Sequence, residues 1–198
     1  MWHKVQYYRI LVILYFMKKT LHHIALIITK NLNNFHFDVY LKGNENYLII
    51  LIYGVIAMKK LTIIYWSNGG NVEVLANHVA KGAKEAGATV LVKLVSEATV
   101  EDVTNADAVA FGSPSMDNNR IEQEEMQPFM DKFKLLPVGN KTTGLFGSYG
   151  WDNGEFMNKW TTLMKDYQFN VIKSLTVNEA PTNEQLAEAE EMGKSLVK

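Results

Sequence analysis

Residues 58–198 predict a doubly wound α/β domain: five parallel strands in a three-layer α/β/α sandwich. Three observations carry this. Short β-branched runs alternate five times with amphipathic stretches of helix length between Met58 and Lys198. The runs at Leu61–Tyr65 and Ala108–Gly112 are apolar without alternation, as strands covered on both faces are. Glycine-rich or polar loops follow the first, third and fourth strands, at the carboxyl edge where such sheets bind ligands.

The first strand runs into Ser67-Asn68-Gly69-Gly70-Asn71, after which Leu75, Val79, Ala83 and Ala86 recur at helical spacing. A strand, a tight glycine loop and a helix starting on the loop aim several backbone N–H groups and a positive helix end at one point, which suits a phosphate. Gly87 stops that helix, and Thr89–Leu94 is the second strand. Ser96–Val103 is polar with a short helical turn, Ala108–Gly112 is the third strand, and Ser113–Asn119 is a polar loop. The next helix carries Pro128 in its first turn and turns Phe129, Met130 and Phe133 inward. Lys141–Gly147 is the fourth strand, and Ser148–Gly154 a second glycine-bearing loop. Phe156, Trp160, Leu163 and Tyr167 mark an amphipathic helix, followed by a fifth strand, Asn170–Val177. Thr182 with Gln185 forms a capping box for a last helix that buries Leu186, Ala189, Met192 and Leu196.

The first 57 residues differ in kind. All four prolines lie beyond them, and six residue types with A/T-rich codons dominate. The apolar runs Ile10–Met17 and Tyr47–Met58 are shorter than the ~20 residues of a spanning helix. Three readings compete: translation starting at Met58, a membrane-directed or secretory leader, and a genuine extra layer. The first is adopted, with 1–57 outside the domain. The apolar content of Tyr7–Thr29 favours helix there. His3, His22, His23 and His36 have no acidic partners at metal-ligand spacing.

The chain has no cysteine, which excludes disulfides, thiolate metal sites and cysteine catalysis. Its net charge of −1 divides unevenly: residues 58–198 hold fourteen Lys/Arg against nineteen Asp/Glu, whereas 1–57 hold six against two. An acidic domain is a poor partner for nucleic acid and a good one for basic protein rims.

Met116 stands in an otherwise polar loop after the third strand, and Trp151 in the loop after the fourth. A thioether and an indole at one rim beside a phosphate loop are suited to sandwich a flat ring, each contact being favourable by ~0.5–1.5 kcal/mol. A ring with a phosphate at its far end describes a nucleotide such as FMN.

On Gly144–Trp151 (G-L-F-G-S-Y-G-W), Gly154–Met157 (G-E-F-M), Tyr65–Ser67 and Pro128–Phe129, residues 58–198 resemble the short-chain flavodoxins. The resemblance covers all five strands. It implies strand order 2-1-3-4-5, non-covalent FMN, and low-potential one-electron transfer in place of a ferredoxin. The partners it implies are a flavodoxin/ferredoxin reductase or a ferredoxin-dependent oxidoreductase, met by a cytoplasmic monomer. By that likeness Ser67, Asn68, Gly69, Gly70 and Asn71 hold the phosphate, Val72 closes the same loop, and Met116 and Trp151 flank the ring. Ser113, Pro114, Asp117, Asn118, Asn119, Ser148, Tyr149, Gly150 and Gly154 complete the cofactor site.

The chain departs from that family in three places. Gly69 and Val72 replace hydroxyl residues of the phosphate loop, so FMN is expected to bind more weakly, by ~1 kcal/mol for each lost donor. Asp117 follows the methionine where relatives often have glycine and a peptide flips to present its carbonyl to the flavin N5–H of the semiquinone, so that flip is expected to cost on the order of 1 kcal/mol more here. Asn119 replaces a glutamate that contacts the ring N3–H. Asp117, Glu122, Glu124, Glu125, Asp152 and Glu155 form an acidic rim, read as solvated surface or as docking charge. His78 reads as exposed. Two rivals share the topology: an FMN-dependent quinone or nitro reductase, and a phosphoacceptor receiver. The latter is disfavoured because Trp66, Ser67 and Asn68 stand where it needs acidic residues.

Overall fold

The computed structural model describes residues 58–151 and 153–198 and, before them, the backbone of three strands, 8–14, 35–40 and 48–54. The chain divides into two units, Met1–Ala57 and Met58–Lys198. In the first, β1 (Tyr8–Leu14), β2 (Phe35–Tyr40) and β3 (Leu48–Gly54) form an antiparallel sheet in the order β1-β3-β2. The helix expected across Tyr7–Thr29 is therefore a strand over 8–14, where Ile10, Val12 and Ile13 supply β-branched side chains. The rest of that stretch lies outside the described residues, as do His3, His22 and His23, while His36 falls on β2.

The second unit holds a five-stranded parallel sheet, β5-β4-β6-β7-β8, which is order 2-1-3-4-5 in its own count. Its strands are β4 (Lys60–Tyr65), β5 (Thr89–Leu94), β6 (Ala108–Gly112), β7 (Thr142–Tyr149) and β8 (Asn170–Asn178). The helices are α1 (Asn71–Glu85), α2 (Val100–Thr104), α3 (Met126–Asp131), α4 (Glu155–Asp166) and α5 (Asn183–Leu196).

The sheet has a core on each face, and successive strand residues serve them alternately. Ile63 of β4 packs with Leu75, Val79 and Ala83 of α1 and Ala189, Met192 and Leu196 of α5. Ile64 packs with Phe129 and Met130 of α3, and with Phe156, Trp160 and Met164 of α4. The central strands β4 and β6 are buried on both faces, apart from Lys60, and so read as continuous apolar runs. The edge strands β5 and β8 are half exposed.

α1 and α5 pack backbone to backbone. A Cβ on Gly82 would lie 1.9 Å from the Glu190 carbonyl oxygen, and one on Gly193 would lie 2.0 Å from that of Val79. His78 ties the same two helices: its Nδ1 lies 2.8 Å from Glu190 Oε1, the oxygen that also accepts from Lys81. It is half-buried rather than exposed. The Thr182–Gln185 capping box is present at the start of α5, and Thr99 with Asp102 forms another on α2.

Two boundaries move. β7 continues through Ser148 and Tyr149, which the sequence places in the loop, because β8 extends alongside to pair them with Val177 and Asn178. Ala86, the last of that helical repeat, is the exposed C-cap at which α1 ends.

Candidate functional site

Three loops converge at the carboxyl edge of β4, β6 and β7. The first leaves β4 with the Trp66 N–H donating to the Gly112 carbonyl (2.9 Å). Gly70 then turns left-handed (φ 87°) as the N-cap of α1, and no side chain caps that helix. Its own N–H donates to Ser67 Oγ (3.2 Å). An uncapped N-terminus on a fifteen-residue helix is a set of donors and partial positive charge open to an anion. In front of it Gly69 has open space, with no atom within 4 Å of where a Cβ would stand.

The second loop is braced from beneath. The buried Ser113 hydroxyl accepts from the Glu122 N–H (2.9 Å) and donates to the Pro114 carbonyl (3.0 Å). The Ser115 N–H donates to the Ser148 carbonyl (2.8 Å), tying this loop to β7. The Met116 N–H donates to the Arg120 carbonyl (2.7 Å), so Met116 opens a tight turn over 116–120. The left-handed residues of that turn are Asn118 (φ 61°) and Asn119 (φ 52°). Asp117 lies outside that region, and asparagine tolerates it better than most residues. The Asp117 carbonyl accepts from Gln123 Nε2 (3.0 Å), and Asn119 Nδ2 reaches Glu155 Oε2 (3.4 Å).

Glu122 corrects the reading of the rim. It is 3 % exposed, and its carboxylate accepts the N–H groups of Glu124 (2.6 Å), Glu125 (2.9 Å) and Met126 (2.8 Å). It is an internal cap for α3, not a solvated charge. Asp152 lies outside the described residues.

The third loop leaves β7 at Tyr149 and carries Trp151, which is 64 % exposed. β7 approaches the second loop so closely that a Cβ on Gly147 would lie 2.0 Å from the Ser113 carbonyl oxygen. Gly154, left-handed at φ 79°, is the N-cap of α4.

Between the loops lies a cavity of about 240 Å³. Ser67, Asn68, Gly69, Asn71 and Val72 line one end, and Pro114 and Met116 the wall from the second loop. Ser148, Tyr149, Gly150 and Trp151 line the third side. The other residues singled out do not line it: Gly70 and Gly154 act as helix caps, Ser113 is buried, and Asp117, Asn118 and Asn119 form the adjoining turn. Sequence reasoning missed Trp66, Ser115 and Glu179, which line it too. Trp66 stood next to the phosphate loop, and its Nε1 donates to Glu125 Oε1 (3.4 Å). Glu179 had no sequence signal. It enters because its N–H donates to the Tyr149 carbonyl (2.8 Å) beyond the end of β8. Burial, and then the Glu73 carboxylate, push the Tyr65 hydroxyl above its ordinary pKa.

The cavity joins an uncapped helix end to apolar walls that carry a thioether and three aromatic rings, a donor set that fits a flat ring with an anionic tail. The flavodoxin family model matches residues 63–193. This chain belongs to the flavodoxin family. It is 37 % identical over 136 residues to the flavodoxin of Megasphaera elsdenii, covering 69 % of this chain and 97 % of that one. It is 30 % identical to the flavodoxin of Clostridium beijerinckii, covering 69 % and 98 %. The solution structure of two-electron reduced M. elsdenii flavodoxin superposes with a TM-score of 0.62, at 35 % identity, over 69 % of this chain and 98 % of that one. The family implies a flavin and redox partners, and its members are electron-transfer proteins rather than enzymes. A quinone dehydrogenase of Rhizobium meliloti matches only in part, at 34 % identity over 46 % of this chain and 51 % of its own length. Among the described residues no helix is long and apolar enough to cross a membrane.

Proposed function

We propose that residues 58–198 bind FMN non-covalently in this cavity and carry single electrons between redox proteins, in the place of a ferredoxin. The observation that carries the reading is the single cavity shared by the uncapped start of α1, Met116 and Trp151. Bound FMN supplies the one-electron redox chemistry.

The chain's own residues do the rest. Backbone N–H groups at the start of α1 hold the phosphate, assisted by the positive end of the helix. Met116 and Trp151 flank the ring and exclude water from it. The exposed carboxylates Asp117, Glu124, Glu125 and Glu155 disfavour added negative charge on the cofactor and so lower its potential. The same charges steer the domain to basic rims on a flavodoxin/ferredoxin reductase or a ferredoxin-dependent oxidoreductase. We infer a cytoplasmic monomer with no nucleic-acid partner. We place the working domain at 58–198, with translation starting at Met58, in keeping with the division of the chain at that residue.

Purification of the full chain and of a chain begun at Met58 tests this. Both are expected to be yellow or to take up FMN with quenched fluorescence, and mass spectrometry of the native N-terminus is expected to find Met58. Colourless protein that binds no FMN at about 1 μM would overturn the cofactor reading.

A further inference from the structure

A second cavity, of about 430 Å³, lies between the 120–131 segment and α4. Its size is that of a small-molecule site. Arg120, Lys159, Gln127 and Asp131 supply its polar lining, and Leu163 and Trp160 part of its apolar one. Trp160 is 2 % exposed, and its indole N–H is a buried donor with no acceptor among the described residues.

The cations beside it are in a similar state. Among the described residues Arg120 donates only to the Gln123 side-chain carbonyl (2.6 Å) and Lys159 only to the Asn118 carbonyl (3.2 Å). Neither has a carboxylate within 4.0 Å among the described residues. The one carboxylate that lines the cavity among the described residues, Asp131, is already served by Gln127 Nε2 (2.8 Å) and the Tyr167 hydroxyl (2.9 Å). It repels an anion from its own end and so directs one toward Arg120 and Lys159.

We propose that this cavity binds a small amphipathic carboxylate: the anionic group on Arg120 and Lys159, and an apolar body along Leu163 and the Trp160 ring. The inference goes beyond the cofactor reading and stands without it. Occupancy reaches the turn at Met116, because the Arg120 carbonyl holds the Met116 N–H and Lys159 holds the Asn118 carbonyl.

Titration of the ¹⁵N-labelled full chain with phenylacetate, followed by NMR, tests this. The Trp160 indole resonance, assigned through Trp160→Phe, is expected to shift saturably, with the Met116 and Asn118 amides on the same isotherm. Arg120→Gln and Lys159→Gln, both at exposed positions, are each expected to weaken binding about fivefold or more. Uncharged phenylacetamide is expected to produce no such shift. The proposal is overturned by no saturable movement up to about 10 mM, by an equal response to phenylacetamide, or by unchanged affinity in both variants.

Discussion

Trp151 and Gly69 show how differently two neighbours of one cavity depend on the fold. Trp151 is 64 % exposed, so its ring contributes little to the core. Trp151→Ala is expected to leave stability within about 0.5 kcal/mol while weakening FMN binding about tenfold, the loss of one ring contact. Fluorescence titration and thermal melting read the two effects separately. Gly69 and Val72 both lack the hydroxyls that flavodoxins carry there, but only one can regain it freely. Val72 is 1 % exposed and packs in the α1 core, so a threonine there would bury a hydroxyl. Gly69 has ordinary φ and open space. Gly69→Thr is therefore expected to tighten FMN binding about fivefold, the worth of one hydroxyl donor. Unchanged affinity in equilibrium titration would show that the hydroxyl finds no phosphate.

Helix packing and the internal cap are decided one level up. Gly82 and Gly193 let α1 and α5 approach until a Cβ on either would meet a backbone carbonyl oxygen at 1.9 or 2.0 Å. Gly82→Ala gains helix propensity of about 1 kcal/mol but must separate the helices. A net loss of about 2 kcal/mol is expected, near 6 °C in Tm. Glu122 does for α3 what no residue does for α1: its carboxylate takes three backbone N–H groups at that helix's start. Glu122→Gln keeps the shape and loses acceptor capacity, and a destabilisation of about 1–3 kcal/mol in urea titration is expected. A variant as stable as the parent would mean that the carboxylate is replaceable by an amide. The three glutamates of Glu122-Gln123-Glu124-Glu125 look alike in the sequence. Only the turn at 116–120 and the bond from the Glu122 N–H to Ser113 fold the first of them inward.

Acid sensitivity belongs to the whole molecule. Burial works to raise the Asp102 pKa, but the Lys93 ammonium (2.8 Å) and the Thr99 N–H and hydroxyl outweigh it and hold the carboxyl below its ordinary 3.8. Glu190 is likewise lowered, first by Lys81 and then by His78, and Glu191 by Lys194. A carboxyl whose pKa falls on folding contributes stability above its unfolded pKa and loses it as pH drops through the folded value. Melting temperature is expected to hold above about pH 5 and to fall below about pH 4. Asp102→Asn is expected to lower Tm at neutral pH and to flatten that acid slope. A slope identical to the parent's would place the sensitivity elsewhere.

The sequence alone determined the five-stranded fold and most of the residues that line its cavity. Strand positions follow from apolar runs, and the capping box at Thr182 follows from local spacing. The placement of Met116 and Trp151 at one rim follows from the rule that loops after alternate strands of a parallel sheet share an edge. These are local or topological properties, and one chain carries them in its letters. What it could not decide were contacts between residues far apart in the chain. Glu179 reaches the cavity through the Tyr149 carbonyl, His78 meets Glu190 across two helices, and β7 lengthens because β8 runs beside it. The left-handed residues fell on Asn118 and Asn119 because the turn closes from Met116 to Arg120, a hydrogen bond that exists only once both ends are held. Such choices depend on which backbone groups meet in the folded chain, and tertiary structure alone brings them together.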